Sequence, residues 1–361
     1  MAEHLTRRPQ LDGLRTLAMI GVLYVHFWDG APITEYVRVT LFLVISGFLI
    51  THVLMTAKAR AGNIVIRNFY IRRVLRLYPA LMICFAAAWI FDADGFRSSV
   101  FWHLFSATNI YFAIQKQFEP WVVAQLWSLN LLEQFYLLWP LVILFLSEKV
   151  LYVLVLIGLA SLVFLHANAD EIGVDGWWLS LLLSFDSILA GVLAYLLQRQ
   201  KVVLDVITSR LSISLALGIL ITPFLLWDGF GHSNSYRSFS QAALAILVVG
   251  AYKGYRGPIG WMLQSATAQF MAKISYGVYV YHLLLWYLVV QVYPALFTKG
   301  PQTFFVMTAL TIVVATASWY MIEEPISKLK KNFLFTGQIL EMMPCLRRPS
   351  GSVPSSAIFP A

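Results

Sequence analysis

The sequence between residues 11 and 27 reads LDGLRTLAMIGVLYVHF, an apolar run with one arginine near its start and one histidine near its end. Arg15 and His26 are eleven residues apart, and eleven steps of about 100° come within about 20° of three full helical turns. On a helix the two side chains would share a face, about 16 Å apart along the axis. A signal anchor whose arginine snorkels to the membrane surface would explain the pattern. A functional pair would explain it equally well, because an ionisable residue inside a bilayer is a functional hypothesis by default.

The composition is typical of a membrane protein. Of the 361 residues, 59% are hydrophobic and 12% are charged, whereas a soluble domain carries about 25% charged residues. The net charge of +8 would indicate nucleic acid only if the basic residues shared one surface, and they are spread over several loops. Cys84 lies in an apolar segment and Cys345 near the carboxyl end, so we expect neither a disulfide nor a metal centre. The composition thus predicts a membrane protein that binds no metal and no nucleic acid.

Hydropathy in windows of about 19 residues predicts about ten membrane-spanning helices. Their bounds are 14–28, 37–56, 76–92, 127–147, 150–168, 178–197, 211–228, 239–252, 269–292 and 302–322. The weaker stretch 100–118 is interpreted as an interfacial or re-entrant helix. The predicted fold class is therefore all-α, a polytopic transmembrane bundle over residues 1–331. Residues 332–361, rich in Pro and Ser towards the end, predict a disordered cytoplasmic tail.

The distribution of basic residues predicts the orientation. Ten spans with a cytoplasmic amino terminus place both termini and most Lys and Arg residues on the cytoplasmic side, as the positive-inside rule requires. Of the 26 basic residues, the ones that fall elsewhere are Arg38, Arg97, Lys116, Arg237 and Lys299.

The loop before the third span carries a cluster of arginines in the sequence FYIRRVLRLYP. Arg73 and Arg76 are three residues apart and share a helix face, and Pro79 follows at the entry to the membrane. Such clusters are usually topology signals that contact anionic lipids. They also suit a phosphorylated ligand, because guanidinium groups hold phosphate oxygens in bidentate geometry.

Two acidic residues occur inside predicted spans. Glu133 lies about six residues into the fourth span, and a carboxylate at that depth is costly unless it is paired or protonated. A hydrogen bond to a neighbouring helix would also satisfy it. Asp186 lies near the middle of the sixth span, where Ala190, Gly191 and Ala194 indicate a tight helix contact. For Asp186 alone a structural role is the simpler interpretation.

The ninth span, KISYGVYVYHLLLWYL, places Tyr279 and His282 three residues apart on one face. Tyrosine is common at membrane interfaces, but His282 lies deeper. Counting about 1.5 Å per residue puts His26, Glu133, Asp186 and His282 in the middle or outer half of the bilayer. The arginines lie on the inner side. We therefore predict an anion site at the cytoplasmic side and an acid/base pocket, with His282, Tyr279 and Asp186 in it, further out.

Six motifs occur in one order along residues 10–330. They are LDGLR with a histidine eleven residues after its arginine (Arg15, His26), LFLVISGFLIT (Ser46, Gly47), FYIRRVLRLYP (Arg73, Arg76, Tyr78, Pro79), WSLNLLEQFYLLWP (Trp127, Ser128, Glu133, Phe135, Tyr136), ISYGVYVYH (Ser275, Tyr276, Tyr279, His282) and IEEP (Glu323, Pro325). In these motifs the chain resembles the membrane acyltransferase-3 proteins, bacterial sugar O-acyltransferases that include modifiers of lipopolysaccharide O-antigen, exopolysaccharide and Nod factors.

The resemblance implies a ten-helix domain in a bacterial inner membrane, an acyl-coenzyme A donor such as acetyl-CoA, and a glycan or lipid-linked saccharide acceptor. Arg15 and His26 match the family's essential pair, and Arg73 and Arg76 match its inner-loop arginine motif. We place Ser46 with those two arginines at the donor. Some members append an extracytoplasmic esterase-like domain, and this sequence shows none. We therefore expect direct transfer or a separate extracytoplasmic partner, and a homo-oligomer stays open.

Two positions depart from the family pattern. The family usually has a glutamate five residues after the tryptophan of WSL, where this chain has Leu132, with Glu133 one place later. A shift of one residue turns a helical side chain by about 100°, so Glu133 replaces that acid only if a local bulge re-aims it. The family often has a basic residue before the proline of IEEP, where this chain has Glu324.

The leading hypothesis is acyl transfer from a coenzyme A thioester to a sugar hydroxyl. A hydroxyl needs a base to react at neutral pH, and His26 is the candidate, with Arg15 and Glu133 as the other catalytic residues. A covalent acyl-histidine relay is a second possibility. The rival from another class is a transporter or flippase for a lipid-linked sugar or acyl group, which ten helices and buried charges also suit. A structural scaffold is a distant third.

Overall fold

The computed structural model describes residues 8–28, 32–61, 66–178, 184–226 and 234–329. Within these ranges the chain is helical and contains no β-strand. The α-helices of the first half are α1 (Pro9–Phe27), α2 (Pro32–Ala61), α3 (Ile66–Ile90), α4 (Val100–Leu104), α5 (Thr108–Gln115), α6 (Leu126–Phe145), α7 (Glu148–Ala167) and α8 (Ala169–Ile172).

The second half continues the same architecture. Its α-helices are α9 (Phe185–Leu197), α10 (Lys201–Ile207), α11 (Arg210–Leu226), α12 (Asn234–Lys253), α13 (Gly257–Gln264), α14 (Ala266–Val292), α15 (Pro301–Ser318) and α16 (Glu324–Lys328). A π-helical turn, Trp319–Glu323, joins the last two. The predicted tail, 332–361, lies outside the described residues.

Each of the ten predicted apolar segments overlaps a helix of the described residues, and the parts at 179–183 and 227–228 lie outside them. Six helical segments in the described part are long and apolar enough to cross a membrane: Val37–Ala59, Ile66–Ile90, Leu126–Phe145, Glu148–Ala167, Ala266–Val292 and Pro301–Lys328. The pair α10 and α11 is bent by 50° and makes a seventh if it counts as one span. The all-α membrane architecture is therefore confirmed, and the count of ten crossings and the placement of the termini stay predictions.

The stretch interpreted as interfacial or re-entrant is broken into short pieces. A 3₁₀ turn, Ala93–Ser98, precedes α4 and α5, which have five and eight residues. At about 1.5 Å per residue neither helix reaches across a bilayer, which agrees with the interpretation. Within this segment His103 is buried between the hydroxyls of Ser99 and Thr108, at 2.9 and 3.0 Å.

The closest helix contact in the bundle joins α2 and α9. A Cβ atom at Gly47 would overlap the carbonyl of Ile188, and one at Gly191 would overlap the carbonyl of Val44. The two glycines therefore let the helix backbones approach directly, as small residues do in membrane bundles. The tight contact predicted from the small residues of α9 is confirmed.

Candidate functional site

One cavity lies between helices α1, α2, α3, α6 and α14. It encloses about 840 Å³, including the space at its mouth. Arginine side chains line one end, and aromatic rings and hydroxyl groups line the other end. The polar side chains along its wall belong to Arg15, Ser46, Arg73, Arg76, Ser128, Tyr136, Ser275, Tyr276 and Tyr279. Five predicted site residues, Arg15, Ser46, Arg73, Arg76 and Tyr279, thus meet at one cavity.

The cationic end is formed by three arginines from two helices. Arg15 Nη1 lies 3.4 Å from the Asp12 carboxylate. The Arg73 guanidinium lies 4.0 Å from the centre of the Tyr136 ring, a cation–π contact that fixes its plane. Arg76 is exposed at the mouth. Three guanidinium groups around one opening make it attractive to a polyanion.

The position of Arg15 is set by close packing of α1 on neighbouring segments. A Cβ atom at Gly13 would overlap the carbonyl of Leu263, so α1 lies directly against α13. Thr16 Oγ1 donates to the carbonyl of Ala268 at 2.7 Å. The glycine and the threonine on either side of Arg15 therefore explain why the LDGLR segment holds this arginine at the cavity.

The opposite end of the cavity is closed by side chains of four helices. Val22, Phe42, Ser128 and Tyr279 line it, one from each of α1, α2, α6 and α14. The hydroxyls of Tyr279 and Ser128 are 2.7 Å apart, and the Tyr279 hydroxyl also donates to the carbonyl of Gln125. The ring of Phe42 lies 6.2 Å from that of Tyr279. From Arg15 to Val22 the cavity covers about 10 Å of α1.

His26 and His282 lie together just beyond this closed end. Their ring centres are 4.8 Å apart, and the ring of His282 is 5.9 Å from that of Tyr279. His26 Nδ1 contacts the carbonyl of Val22 at 2.9 Å, and His282 Nδ1 contacts the carbonyl of Tyr279 at 2.7 Å. Because a carbonyl only accepts, each Nδ1 carries a proton and each Nε2 keeps a lone pair. Both imidazoles are thus oriented as proton acceptors.

The register predicted for α1 is present in the structure. Arg15 and Val22 both line the cavity, and His26 lies one turn above Val22, about 6 Å along the same face. His26 itself does not line the cavity, and neither does His282. The arginines and the histidine pair therefore occupy neighbouring spaces with Tyr279 between them.

Glu133 is not brought to the cavity. Leu132 lines the wall instead, as the one-residue shift along α6 predicts. The Glu133 carboxylate accepts a hydrogen bond from Asn130 Nδ2 at 3.3 Å on one oxygen, and its other oxygen has no hydrogen-bond partner among the described residues. Ser106 lies nearby. The π-helical residues lie at 319–323, so no bulge re-aims α6. In this structure Glu133 contacts the α4–α5 connection, so its catalytic assignment lacks geometric support.

Asp186 belongs to a separate polar cluster. Its carboxylate accepts two hydrogen bonds from Arg237, both at 2.9 Å, and His166 Nδ1 lies 3.8 Å from it. It lies in the first turn of α9 rather than in mid-helix, and it is not part of the lining of the cavity. The placement of Asp186 in the pocket with His282 and Tyr279 thus has no support. Its partner is 51 residues away, a distance that no local pattern reveals.

Sequence reasoning missed two features of the site. Ser128 was noted only as part of a motif, yet its hydroxyl holds Tyr279. Arg38 was counted as an outer-side cation, yet it is only 6% exposed and its charge acts on both His26 and His282. The available signal was that Arg38 is the one Asp, Glu, Lys or Arg residue in the predicted span 37–56, since buried cations in a membrane are rare.

A lysine near the carboxyl end of α2 has a structural role. Lys58 Nζ donates to the carbonyls of Ile143, Leu144 and Leu146 at 2.6, 3.2 and 3.0 Å. These are carbonyls at the carboxyl end of α6, where no further helical partners exist. Lys58 therefore caps α6. Arg73 and Arg76 of α3, by contrast, line the cavity.

Comparison with known proteins places the chain in a family. Residues 8–320 match the model described as an acyltransferase domain. The chain belongs to the acyltransferase-3 family. No solved structure matches it. As an acyltransferase-3 protein with several apolar membrane-length helices, it is an integral membrane protein.

Two relatives from Staphylococcus aureus illustrate the likeness. The O-acetyltransferase OatA of strain NCTC 8325 / PS 47 is 26% identical over 356 residues. A protein of strain COL named "Putative O-acetyltransferase SACOL0978" is 28% identical over 360 residues. Both alignments cover 89% of this chain and 57% of the relative. The chain therefore spans somewhat more than half the length of these two relatives.

Proposed function

We propose that this chain is a membrane O-acetyltransferase that moves an acetyl group from acetyl-CoA to a hydroxyl of a cell-surface or lipid-linked glycan. The observation that carries the proposal is the arrangement along α1. A cavity with an arginine mouth at Arg15 follows one helix face towards the Nε2 lone pair of His26.

The donor end suits a phosphorylated carrier. Arg15, Arg73 and Arg76 surround the mouth, and guanidinium groups bind phosphate oxygens in bidentate geometry. Above them the wall combines apolar side chains such as Leu43 and Leu77 with hydroxyls such as Ser46. A slender thioester arm, which is apolar in part and carries amide groups that hydroxyls can bind, fits such a mixed wall.

The histidine end suits the chemistry. His26 Nε2 accepts the proton of the acceptor hydroxyl as its oxygen bonds to the thioester carbonyl carbon, the carbon–sulfur bond breaks, and the proton passes to the departing thiolate. Such a base contributes about 10² to 10⁴ in rate. In the alternative relay, His26 Nε2 bonds to the thioester carbonyl carbon, the carbon–sulfur bond breaks and the thiolate takes up a proton. The acceptor oxygen then bonds to the acyl carbon, the carbon–nitrogen bond breaks, and the acceptor's proton returns to the imidazole.

The choice of acetyl and of a glycan acceptor is supported by likeness. Both Staphylococcus aureus relatives are named O-acetyltransferases, and the motifs resemble those of sugar-modifying members. We assign the protein to the bacterial inner membrane on the same ground. Analysis of the reaction product identifies the acceptor hydroxyl and the leaflet that presents it.

Radiolabelled acetyl-CoA and candidate glycans, incubated with purified protein in detergent, test the proposal. Labelled glycan should form without any ion gradient. A transporter would not produce labelled glycan, because it forms no covalent bond. His26→Gln should abolish the product while leaving the melting temperature near that of the parent. His52→Gln is the matched control, since His52 lies between Tyr195 and Tyr252, away from the cavity. Normal product formation by His26→Gln would remove the proposed role.

Rapid denaturation at neutral pH separates the two chemical routes. An acyl-histidine route leaves label on the protein when acetyl-CoA is supplied alone, and a general-base route does not. The label must be absent from His26→Gln to be attributed to this histidine.

A further inference from the structure

We propose that Tyr279, Ser128 and Phe42 form a barrier that separates the donor cavity from the histidine pair, and that this barrier must part for acyl transfer. The inference rests on the proposed function. It assigns roles to Ser128 and Phe42, and it makes Tyr279 the part of the cavity wall that faces the histidine pair.

The first observation is where the cavity ends. Its lining includes Val22 and Tyr279 but neither His26 nor His282, although each histidine is only one turn further along the same helix. The ring of Tyr279 lies between the two spaces, 6.2 Å from Phe42 and 5.9 Å from His282. A thioester that enters at the arginine mouth therefore meets Tyr279 before it meets an imidazole.

The second observation is how the barrier is held. Tyr279 belongs to α14, and its hydroxyl makes one hydrogen bond with Ser128 of α6 and one to the carbonyl of Gln125, the residue before α6. These are hydrogen bonds between neutral groups, which a side-chain rotation can break. The barrier thus links two helices through contacts that a ligand can replace with contacts of its own.

The third observation is an unsatisfied atom beyond the barrier. His282 is 0% exposed, and its Nε2 has no hydrogen-bond partner among the described residues. Buried polar atoms are normally paired, and an exception indicates a functional site or an unfilled position. The histidine space therefore has a polar atom available for a group that arrives only when the barrier opens.

The barrier has a chemical purpose in this reaction. Water is a competing acceptor for a thioester, and a site that excludes water prevents that side reaction. If Tyr279 keeps the donor away from His26 until the arm is fully bound, hydrolysis stays slow when no glycan is present. Opening the barrier permanently would uncouple hydrolysis from transfer.

Cysteine accessibility tests the barrier without any assay of catalysis. The chain has two cysteines, so Cys84→Ala with Cys345→Ala gives a cysteine-free parent. His26→Cys in that parent is exposed to 2-sulfonatoethyl methanethiosulfonate in inside-out vesicles. This reagent is an anion that does not cross membranes and that the arginine mouth should attract.

With Tyr279 intact, modification at position 26 should be slow. Adding Tyr279→Ala should accelerate it, and Ser128→Ala should do so to a smaller extent. Two hydrogen bonds of ordinary net strength correspond to about a 30-fold change in an opening equilibrium. Leu132→Cys is the control for folding and for access, because Leu132 is half-buried, lines the cavity in front of the barrier and should react rapidly in every background.

Two results would overturn the barrier: fast modification at position 26 with Tyr279 intact, or equal rates with and without Tyr279→Ala while Leu132→Cys reacts normally. Acetyl-CoA hydrolysis in the absence of glycan is a separate measurement, made on protein that keeps His26. There Tyr279→Ala should raise the rate of hydrolysis. If the cysteine result holds but no variant transfers or hydrolyses acetyl groups, the proposed function fails and the barrier stands. If acetyl transfer occurs but the rates of cysteine modification are equal with and without Tyr279→Ala, the barrier fails and the proposed function stands.

Discussion

Removing one guanidinium from the mouth of the cavity is the sharpest test of the donor site. Arg76 is the best choice of the three. Arg73 stacks on Tyr136 and Arg15 contacts Asp12, so truncating either would disturb packing as well as charge. Arg76 is exposed at the mouth and lies in the field of Arg15 and Arg73. Arg76→Ala should therefore leave the fold intact, since it relieves repulsion.

The expected loss can be worked out from the geometry. A hydrogen bond to a charged group contributes about 1.5–3 kcal/mol, which corresponds to about 10- to 150-fold in Kd. Because Arg76 is solvent-exposed, water and salt screen it and the lower end applies. We expect the Kd for coenzyme A to rise about tenfold at low ionic strength. The ratio between variant and parent should shrink as salt is added.

Calorimetric titration of the purified protein with coenzyme A measures this effect. Arg199→Ala is the matched control, because Arg199 pairs with Glu148 and does not line the cavity. A Kd for Arg76→Ala that equals that of the Arg199→Ala control would refute the arginine mouth as the donor site. A tenfold loss that does not respond to salt would refute its electrostatic origin.

Three further changes test the structure around the site. Asp186→Asn combined with Arg237→Gln should lower the melting temperature but leave acetyl transfer per folded molecule unchanged, and a selective loss of kcat would return Asp186 to the pocket. Gly191→Ala should cost about 1–3 kcal/mol by overpacking, whereas Gly218→Ala, where a Cβ meets open space, should not; equal melting temperatures in detergent would contradict this. Burial lowers the pKa of His103 from the ordinary 6.5 to about 4. Between these two pH values His103 is protonated in the unfolded chain but not in the folded protein, so the free energy of unfolding falls as the pH drops. His103→Gln should flatten that slope in a pH series of unfolding midpoints, and an unchanged slope would count against the burial of His103.

Several features of the site follow from local periodicity. Arg15 and His26 share a face of α1 because eleven residues are close to three turns, and the structure shows Arg15 at the cavity with His26 one turn above Val22. The same rule explains Leu132 and Glu133, since one step along α6 exchanges a cavity wall for a different surface. Such relations need only the 3.6-residue repeat, so the sequence alone predicts them.

Other features depend on which helices become neighbours. Asp186 was grouped with His282 by its estimated depth, but depth does not say on which side of a bundle a residue lies. The structure pairs it with Arg237 on α12, where the buried charge is satisfied. The close contact of α2 with α9 involves Gly47 and Val44, whereas the cavity is lined by Phe42 and Ser46 of α2, so α9 packs on a different face of α2 from the one that lines the cavity.

The sequence by itself determined the helical membrane character of this protein, the order of its motifs, and the face of α1 that bears Arg15 and His26, because each of these depends on composition or on the helical repeat. Only the tertiary structure decided that His282 faces His26, that Ser128 holds Tyr279 across the end of the cavity, and that Asp186 lies elsewhere. These are contacts between residues far apart in the chain. They follow from how closely the side chains allow each pair of helices to pack.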